Sequence, residues 1–344
     1  MRSSSLLLAS AGLAAAAPFS YPLANGFPNL NSTEMEQVYK LAGGTPPNGA
    51  LPSSLKPNGV QALQLIAANE LFEVAFFTEL VHNITSKVRG YSDGNHKYII
   101  DTLTSVINQE EVHVLAANGV LASANKTTIQ PCQYDFPVSD FRSAIALAQT
   151  FTDVVLGVLP AAQGLFAADG GDEAALVPIV GSIIGQEGQQ SGYYRFLQKK
   201  VASAAPLLTG GAPQFAYTAI SQFIVPGSCP NIEVIGLKAF PALTLESTPR
   251  ANNSVQTFSV SGAVSAANAT LVYISGQNLP VSVRVSNVTM AGNKTTFAAS
   301  FPYQSGFDRG LTLGALVAGA NKRFNSTADV AASTLFGPAL IEVD

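Results

Sequence analysis

Between residues 63 and 80 the apolar positions Leu63, Ile66, Phe77 and Leu80 recur at helical spacing, and Glu70 and Glu73 stand between them in the same row. The steps of three, four, three, four and three keep all six side chains on one face of a helix. The face that such a helix turns inward therefore carries two carboxylates. A second stretch repeats the arrangement, with Ile99, Leu103, Val106, Glu110, His113, Ala117 and Val120 in one row and the ionisable pair at its middle. A buried carboxylate without a partner is strongly destabilising. A chain with this pattern must bring its helices side by side, so that the ionisable groups meet at one depth and share a cation or protons.

The segments flanking these rows fit that requirement. Four stretches with helical character run over about residues 58–87, 95–124, 138–168 and 171–203. Each holds roughly 30 residues and would be about 45 Å long. Asp93–Gly94 and Gly170–Gly171 punctuate them, and the second connection, around Cys132, is longer and contains a proline. A short fifth helix is expected near residues 212–223. Residues 18–57 are rich in Pro, Gly, Ser and Asn and read as an extended leader that wraps over the bundle. After Ile232 the pattern changes to short, β-branched runs (257–260, 269–275, 281–288 and 295–301) bounded by Gly, Asn and Pro, which is the pattern of antiparallel strands. Residues 236–344 are expected to form a β-sandwich-like domain after a helical unit spanning 58–230. The apolar, Gly-rich stretch 306–320 fits no single periodicity.

Glu110 and His113 form Glu-x-x-His, which puts a carboxylate and an imidazole one turn apart on one helix face. Carboxylate-bridged iron or manganese sites in four-helix bundles use this pair, with a Glu from each of the other helices. The fourth helix offers Val180, Ile184, Glu187, Ser191 and Tyr194 in its row, and Gln190 stands three residues after Glu187, where a second such pair would have histidine. The third offers Ile145, Ala148, Thr152, Val155 and Leu159, so Thr152 occupies the place of a bridging carboxylate and Asp153 falls beside the row. Glu73 is expected to hydrogen-bond a neighbouring helix, and Glu111 to lie outside the seam. His82 and His96 sit near helix ends as surface or capping residues. With 3 histidines in the chain, a His-rich zinc hydrolase site is not expected. No Gly-x-Ser-x-Gly, Walker or dinucleotide motif is present.

Several features point to the secretory pathway. Met1–Arg2, the apolar run from Leu6 and the small residues Ala14–Ala17 before Pro18 have the layout of a signal peptide spanning 1–17. The 2 cysteines, Cys132 and Cys229, are expected to form a disulfide, worth about 4 to 5 kcal/mol on a chain-entropy model. Asn31, Asn83, Asn125, Asn252, Asn268, Asn287, Asn293 and Asn325 each begin an Asn-x-Ser/Thr sequon. Charged residues make up 12% of the chain and the net charge is −4, which suggests no nucleic-acid surface. No membrane span is expected beyond the leader peptide.

Residues 58–225 resemble the ferritin-like family of secreted and desiccation-related proteins. The likeness is clearest in Asn69–Phe77 (NELFEVAFF), Gln109–His113 (QEEVH) and Gln186–Gln190 (QEGQQ). Fungal members are described as late sexual development or stress-response proteins. The resemblance implies an all-α ferritin-like four-helix bundle with a short fifth helix, followed by a small all-β sandwich-like C-terminal domain. It carries over Glu70, Glu110, His113 and Glu187 as metal residues, with Glu73, Thr152, Gln190 and Tyr194 around them. Phe77 replaces a tyrosine common in the family. One half of a dinuclear site is thus complete and the other depleted. The implied cofactor is iron or manganese, or no metal at all, and catalysis is not the leading expectation. Three roles remain: a metal-handling protein, which includes a di-iron or di-manganese oxidase or ferroxidase; a non-catalytic extracellular protein of development or stress; and a scaffold whose β domain binds cell-wall polysaccharide or an extracellular protein. Glycans at Asn83 and Asn125 and the β domain argue for a monomer or small oligomer.

Overall fold

A computed structural model describes residues 20–265, 268–307 and 309–344; the expected signal peptide lies outside them. The chain forms an all-α bundle followed by an antiparallel β sandwich. The bundle helices are α2 (Pro57–Thr85), α3 (Lys97–Ser123), α4 (Phe141–Asp169) and α5 (Leu176–Leu197), with the short α6 (Pro213–Ser221) packed against α2 and α4. Pro57 and Pro213 open their helices, where a missing N–H costs nothing. Asp140 caps α4 through a reciprocal pair of bonds with Ser143. The fourth helix is shorter than the sequence suggests. Residues Gly171–Ala175 form a 3-10 turn, and the helix stops at Leu197, just before Lys199 enters the left-handed region at φ 60°. By length and composition α2 and α4 could each cross a membrane, but most of each is buried in the bundle.

The leader differs more from expectation. It contains a helix, α1 (Ser32–Ala42), opened by a capping box between Asn31 and Glu34 and laid against α3. The segment ahead of it is pinned to the bundle. Phe27 is fully buried, the Tyr21 hydroxyl donates to the Leu71 carbonyl (3.1 Å), and the Asn25 amide donates to both Glu111 oxygens (2.9 and 3.0 Å). Proline and glycine content alone hid this helix, because the capping signal lies inside an otherwise loop-like stretch.

Midway along α2, Phe72 and Phe76 pack edge to face with Phe136 and Phe151, with centroids 4.9 to 5.6 Å apart. The Cys132–Cys229 disulfide joins the α3–α4 connection to the chain beyond α6 across 97 residues. Beside it Asp135 donates to the Phe223 carbonyl and Val225 to that of Gln133 (2.8 and 2.9 Å).

The sandwich consists of two four-stranded sheets. One orders its strands β1 (Leu243–Leu245), β2 (Ser254–Ser261), β6 (Lys294–Phe301) and β5 (Ser286–Ala291). The other orders β4 (Val281–Arg284), β3 (Ala269–Ser275), β7 (Gly310–Ala318) and β8 (Thr334–Val343). A short helix, α7 (Thr327–Ser333), leads into β8. Leu271, Tyr273 and Leu316 face the other sheet with Phe258, Phe297 and Phe301. Val272, Ile274, Leu313, Ala315 and Val317 face the opposite way and join the core of the bundle. Strand β7 is thus covered on both faces. That is why the stretch 306–320 shows no alternation: a strand with two buried faces reads as a continuous apolar run.

The junction is close. The Gly211 amide donates to the Gly157 carbonyl in α4 (2.9 Å), and the neighbouring Thr209 hydroxyl donates to Leu311 (2.5 Å) and accepts from the Gly276 amide (2.8 Å). A Cβ at Gly157 would lie 2.1 Å from the Thr209 carbonyl oxygen. Alanine normally favours a helix over glycine by about 1 kcal/mol, and at exposed Gly164, with nothing near its Cβ position, Gly164→Ala should stabilise by about that amount. Gly157→Ala should do the reverse, costing about 1 to 3 kcal/mol by forcing α4 away from residues 209–211. Urea denaturation of the two variants against the parent checks the opposite signs.

Candidate metal centre

The ionisable side chains of three helices meet inside the bundle. From α2 comes Glu70, from α3 Glu110 and His113, and from α5 Glu187; each offers one ligand atom, and these atoms all lie within 4.8 Å of one another. The three carboxylates are fully buried, and the His113 side chain is 11% exposed. His113 Nδ1 stands 2.8 Å from Glu110 Oε2, 3.2 Å from Glu70 Oε2 and 3.8 Å from Glu187 Oε1. One imidazole nitrogen thus faces three carboxylates, and it can share a proton with only one of them at a time.

The remaining oxygens show what the centre lacks. Glu70 Oε1 and both oxygens of Glu187 have no hydrogen-bond partner. Such groups are costly in a protein interior. Burial pushes the Glu70 carboxyl up to about 7, opposed by His113. It raises that of Glu187 well above the usual range, helped by the nearby charges of Glu110, Glu73 and Glu70. Burial would lower the His113 imidazole, but Glu70 and Glu110 outweigh it and hold the group well above its ordinary value. Only Glu110 is held low: its burial is outweighed by His113 and by bonds from Glu70 and Gln190. A divalent cation would satisfy the orphaned oxygens and neutralise the excess of negative charge. Ligand atoms around a first-row ion at about 2.1 Å lie up to about 4.2 Å apart, so a small contraction would close the cluster. The donor set of one imidazole and three carboxylates suits iron or manganese.

The other half of a paired site is absent among the described residues. Gln190 donates to Glu110 Oε1 (2.5 Å) and accepts from the Tyr194 hydroxyl (2.9 Å), so an amide engaged on both sides stands where a second pair would have an imidazole. Tyr194 is held in turn by stacking on Phe77, with ring centroids 5.7 Å apart. Thr152 is fully buried with its hydroxyl unpartnered and supplies no carboxylate. Asp153 accepts from Ser191 (2.7 Å) and belongs to a separate polar group with Gln149 and Glu342 at the junction with the β sandwich.

One expectation needs correction. Glu73 takes its hydrogen bond not from a neighbouring helix but from Asn69 (3.1 Å), one turn earlier on α2. The i, i+4 spacing of Asn69 and Glu73 was visible in the sequence. Glu111 lies outside the cluster, as expected, and is buried because Asn25 of the leader covers it. His82 and His96 are exposed, and His96 precedes α3 without a side-chain capping bond.

Two cavities flank the cluster. One of about 290 Å³ lies between α2, α4 and α6 and reaches Asn69 and Glu70. A smaller one of about 100 Å³ reaches His113 beneath Pro46, Pro47 and Leu51 of the leader.

A family model described as a ferritin-like domain matches residues 58–200. Helices α2 to α5 are therefore a ferritin-like domain, carrying a single buried and incomplete carboxylate/histidine cluster. No curated protein matches the chain.

The pH dependence of the metal-free chain follows from these shifts. Glu70 is raised from 4.5 to about 7, Glu111 also to about 7, and Glu187 and Glu73 are raised. A folded state with raised carboxyl pKa values binds more protons than the unfolded chain. The stability they contribute is complete below about pH 4.5 and is lost as the pH rises through about 7. For Glu70 alone the loss is about 3 kcal/mol. Urea denaturation of the chelator-treated chain should show lower stability at pH 8 than at pH 5, and Glu187→Gln should flatten that slope.

Proposed function

We propose that the bundle holds one iron or manganese ion between Glu70, Glu110, His113 and Glu187, in a secreted glycoprotein of fungal development or stress response. The observation that carries the metal reading is Glu187: a fully buried carboxylate, in reach of three other donors, with neither oxygen bonded. A protein that used these residues only as inherited packing would have little reason to keep both oxygens free. Glu70, Glu110 and His113 orient the site from α2 and α3, and Gln190 and Tyr194 restrict it to one ion.

When bound, such an ion supplies a one-electron redox centre or an extracellular metal store. The chain's own residues bias the choice towards holding over turnover. Gln190 donates to Glu110, Thr152 adds no carboxylate, and the cluster is screened from bulk water by burial. The reading as a secreted glycoprotein is supported by the N-terminal sequence, by the disulfide and by the sequons. Of these, Asn31, Asn125, Asn252, Asn268, Asn287, Asn293 and Asn325 are exposed, and Asn83 is half-buried. We assign no nucleic-acid partner and no membrane span, and we infer a monomer or small oligomer at the cell wall or outside it.

Elemental analysis of the purified chain, after exposure to iron, manganese and zinc in turn, should give close to one iron or manganese per chain. The double variant Glu110→Ala/His113→Ala should lose it, with affinity falling at least tenfold. If both proteins are metal-free, the bundle is a scaffold. Restoring the missing half with Thr152→Glu/Gln190→His should raise the content towards two ions; a parent chain that already holds two would contradict the single-ion reading.

A further inference from the structure

The sandwich has four sheet edges, and three of them are blunted by the chain itself. Strand β1 is only 3 residues long. Strand β4 follows Pro280, and its last residue, Arg284, donates to the Asn321 side chain (2.9 Å). Strand β8 carries Pro338, and the Gly337 amide before it donates to the Pro241 carbonyl (2.9 Å). Short strands, prolines and charges protect an edge against pairing with another chain. Strand β5 has none of these. Its sequence, Ser-Asn-Val-Thr-Met-Ala, contains no charge and no proline, and among the described residues it pairs with β6 alone. All of it but Val288 is exposed, Met290 by 56%. The register with β6 breaks between Ser286 and Thr289, but Thr289, Met290 and Ala291 then pair regularly with Thr296, Thr295 and Lys294. The outward backbone groups of that run form an open edge.

Two sequons bracket it. Asn287 stands in the bulge, two residues before Thr289, and Asn293 stands in the turn after Gly292, two residues beyond Ala291. Both are exposed. We propose that Asn287 and Asn293 carry N-linked oligosaccharides that cover the β5 edge, and that the bare edge pairs with β5 of a second copy of this chain. At each site the side-chain nitrogen Nδ2 bonds to the anomeric carbon of an oligosaccharide, the bond from that carbon to the diphosphate of its carrier breaks, and the amide gives up one proton. The sugars, bulky and hydrated, take the place of the missing charge and proline. Without them an antiparallel β5–β5 pair makes an isologous two-fold contact that continues the sheet from one chain into the next and brings the two Met290 side chains together. The proposal rests on the secreted-glycoprotein reading and is independent of the metal centre.

The test uses the full chain secreted by a eukaryotic host. Mass mapping of its glycopeptides should find sugar on both Asn287 and Asn293. Thr289→Ala with Asn293→Gln removes both sequons and leaves Asn287 in its left-handed conformation (φ 50°), which a longer side chain would strain. By light scattering the parent should be a single chain at every concentration, whereas the mass of the double variant should rise with concentration towards about twice that value. Adding Met290→Lys puts a charge on the edge and should restore the single chain. Asn325→Gln, which removes a sequon beside α7, should stay single. Thermal unfolding checks that each variant is folded. Trimming the folded parent to one sugar residue per site with an endoglycosidase should raise the mass in the same direction, and decides the matter if the double variant does not fold. If no sequon in the chain carries sugar, the secreted-glycoprotein reading fails and takes this proposal with it. The proposal alone is overturned if sugars are found elsewhere while Asn287 or Asn293 is bare, or if the folded double variant stays single. It is also overturned if Met290→Lys leaves the association unchanged, or if Asn325→Gln associates to the same extent.

Discussion

Four carboxylates and one imidazole meet inside the bundle, and the rest of the structure is arranged around the difficulty of keeping them there. Glu70, Glu73, Glu110 and Glu187 are all fully buried. Burial in a medium of low polarity, reinforced by their mutual repulsion, raises three of the four carboxyl groups and leaves only Glu110 held low. Long helices are a suitable frame for such a group. They satisfy their own backbone bonds and let the side chains be placed by periodicity alone. The apolar turns above and below the cluster, from Leu63 to Leu80 on α2 and from Ile99 to Val120 on α3, supply the burial that offsets the polar centre.

A four-helix frame of this kind leaves faces that need cover, and two other parts of the chain provide it. The leader lays α1 along α3 and uses Asn25 to satisfy Glu111, while Pro46, Pro47 and Leu51 close over His113. The β sandwich offers the outer face of the β4-β3-β7-β8 sheet to the bundle, so that one apolar core runs through both. The junction also carries a buried polar group. Arg195 is almost wholly enclosed, pairs with Asp344 (3.1 Å) and donates to the Val201 carbonyl (2.6 Å); Gln149 donates to Glu342 (2.9 Å). Removing one partner from such a set costs more than the net worth of the pair. The sandwich is thereby fixed to the bundle in one orientation.

Much of this was legible in the sequence because helical periodicity is local. The rows through Glu70, Glu110, His113 and Glu187 could be aligned by counting, and the apolar neighbours showed which face turned inward. The substitutions Gln190 and Thr152 stood out against the pattern of a paired site. What could not be read depends on contacts distant in sequence. Helix α1 lies in a stretch dominated by helix breakers and gains its place by packing on α3. Strand β7 shows no alternation because bundle and sandwich bury its two faces. Glu342 and Arg195, 147 positions apart by numbering, meet in one polar group only once the sheet has docked. The cavity beside Glu70 arises from the spacing of three helices, which no single segment encodes.

The central claim is that three helices hold a single ion, with His113 as its nitrogen ligand. Electron paramagnetic resonance of the manganese(II)-loaded chain tests it most directly. The account predicts the hyperfine pattern of an isolated ion, with nitrogen coupling that disappears in His113→Gln. The spectrum of an exchange-coupled pair, or an isolated ion whose nitrogen coupling survives that substitution, would contradict it.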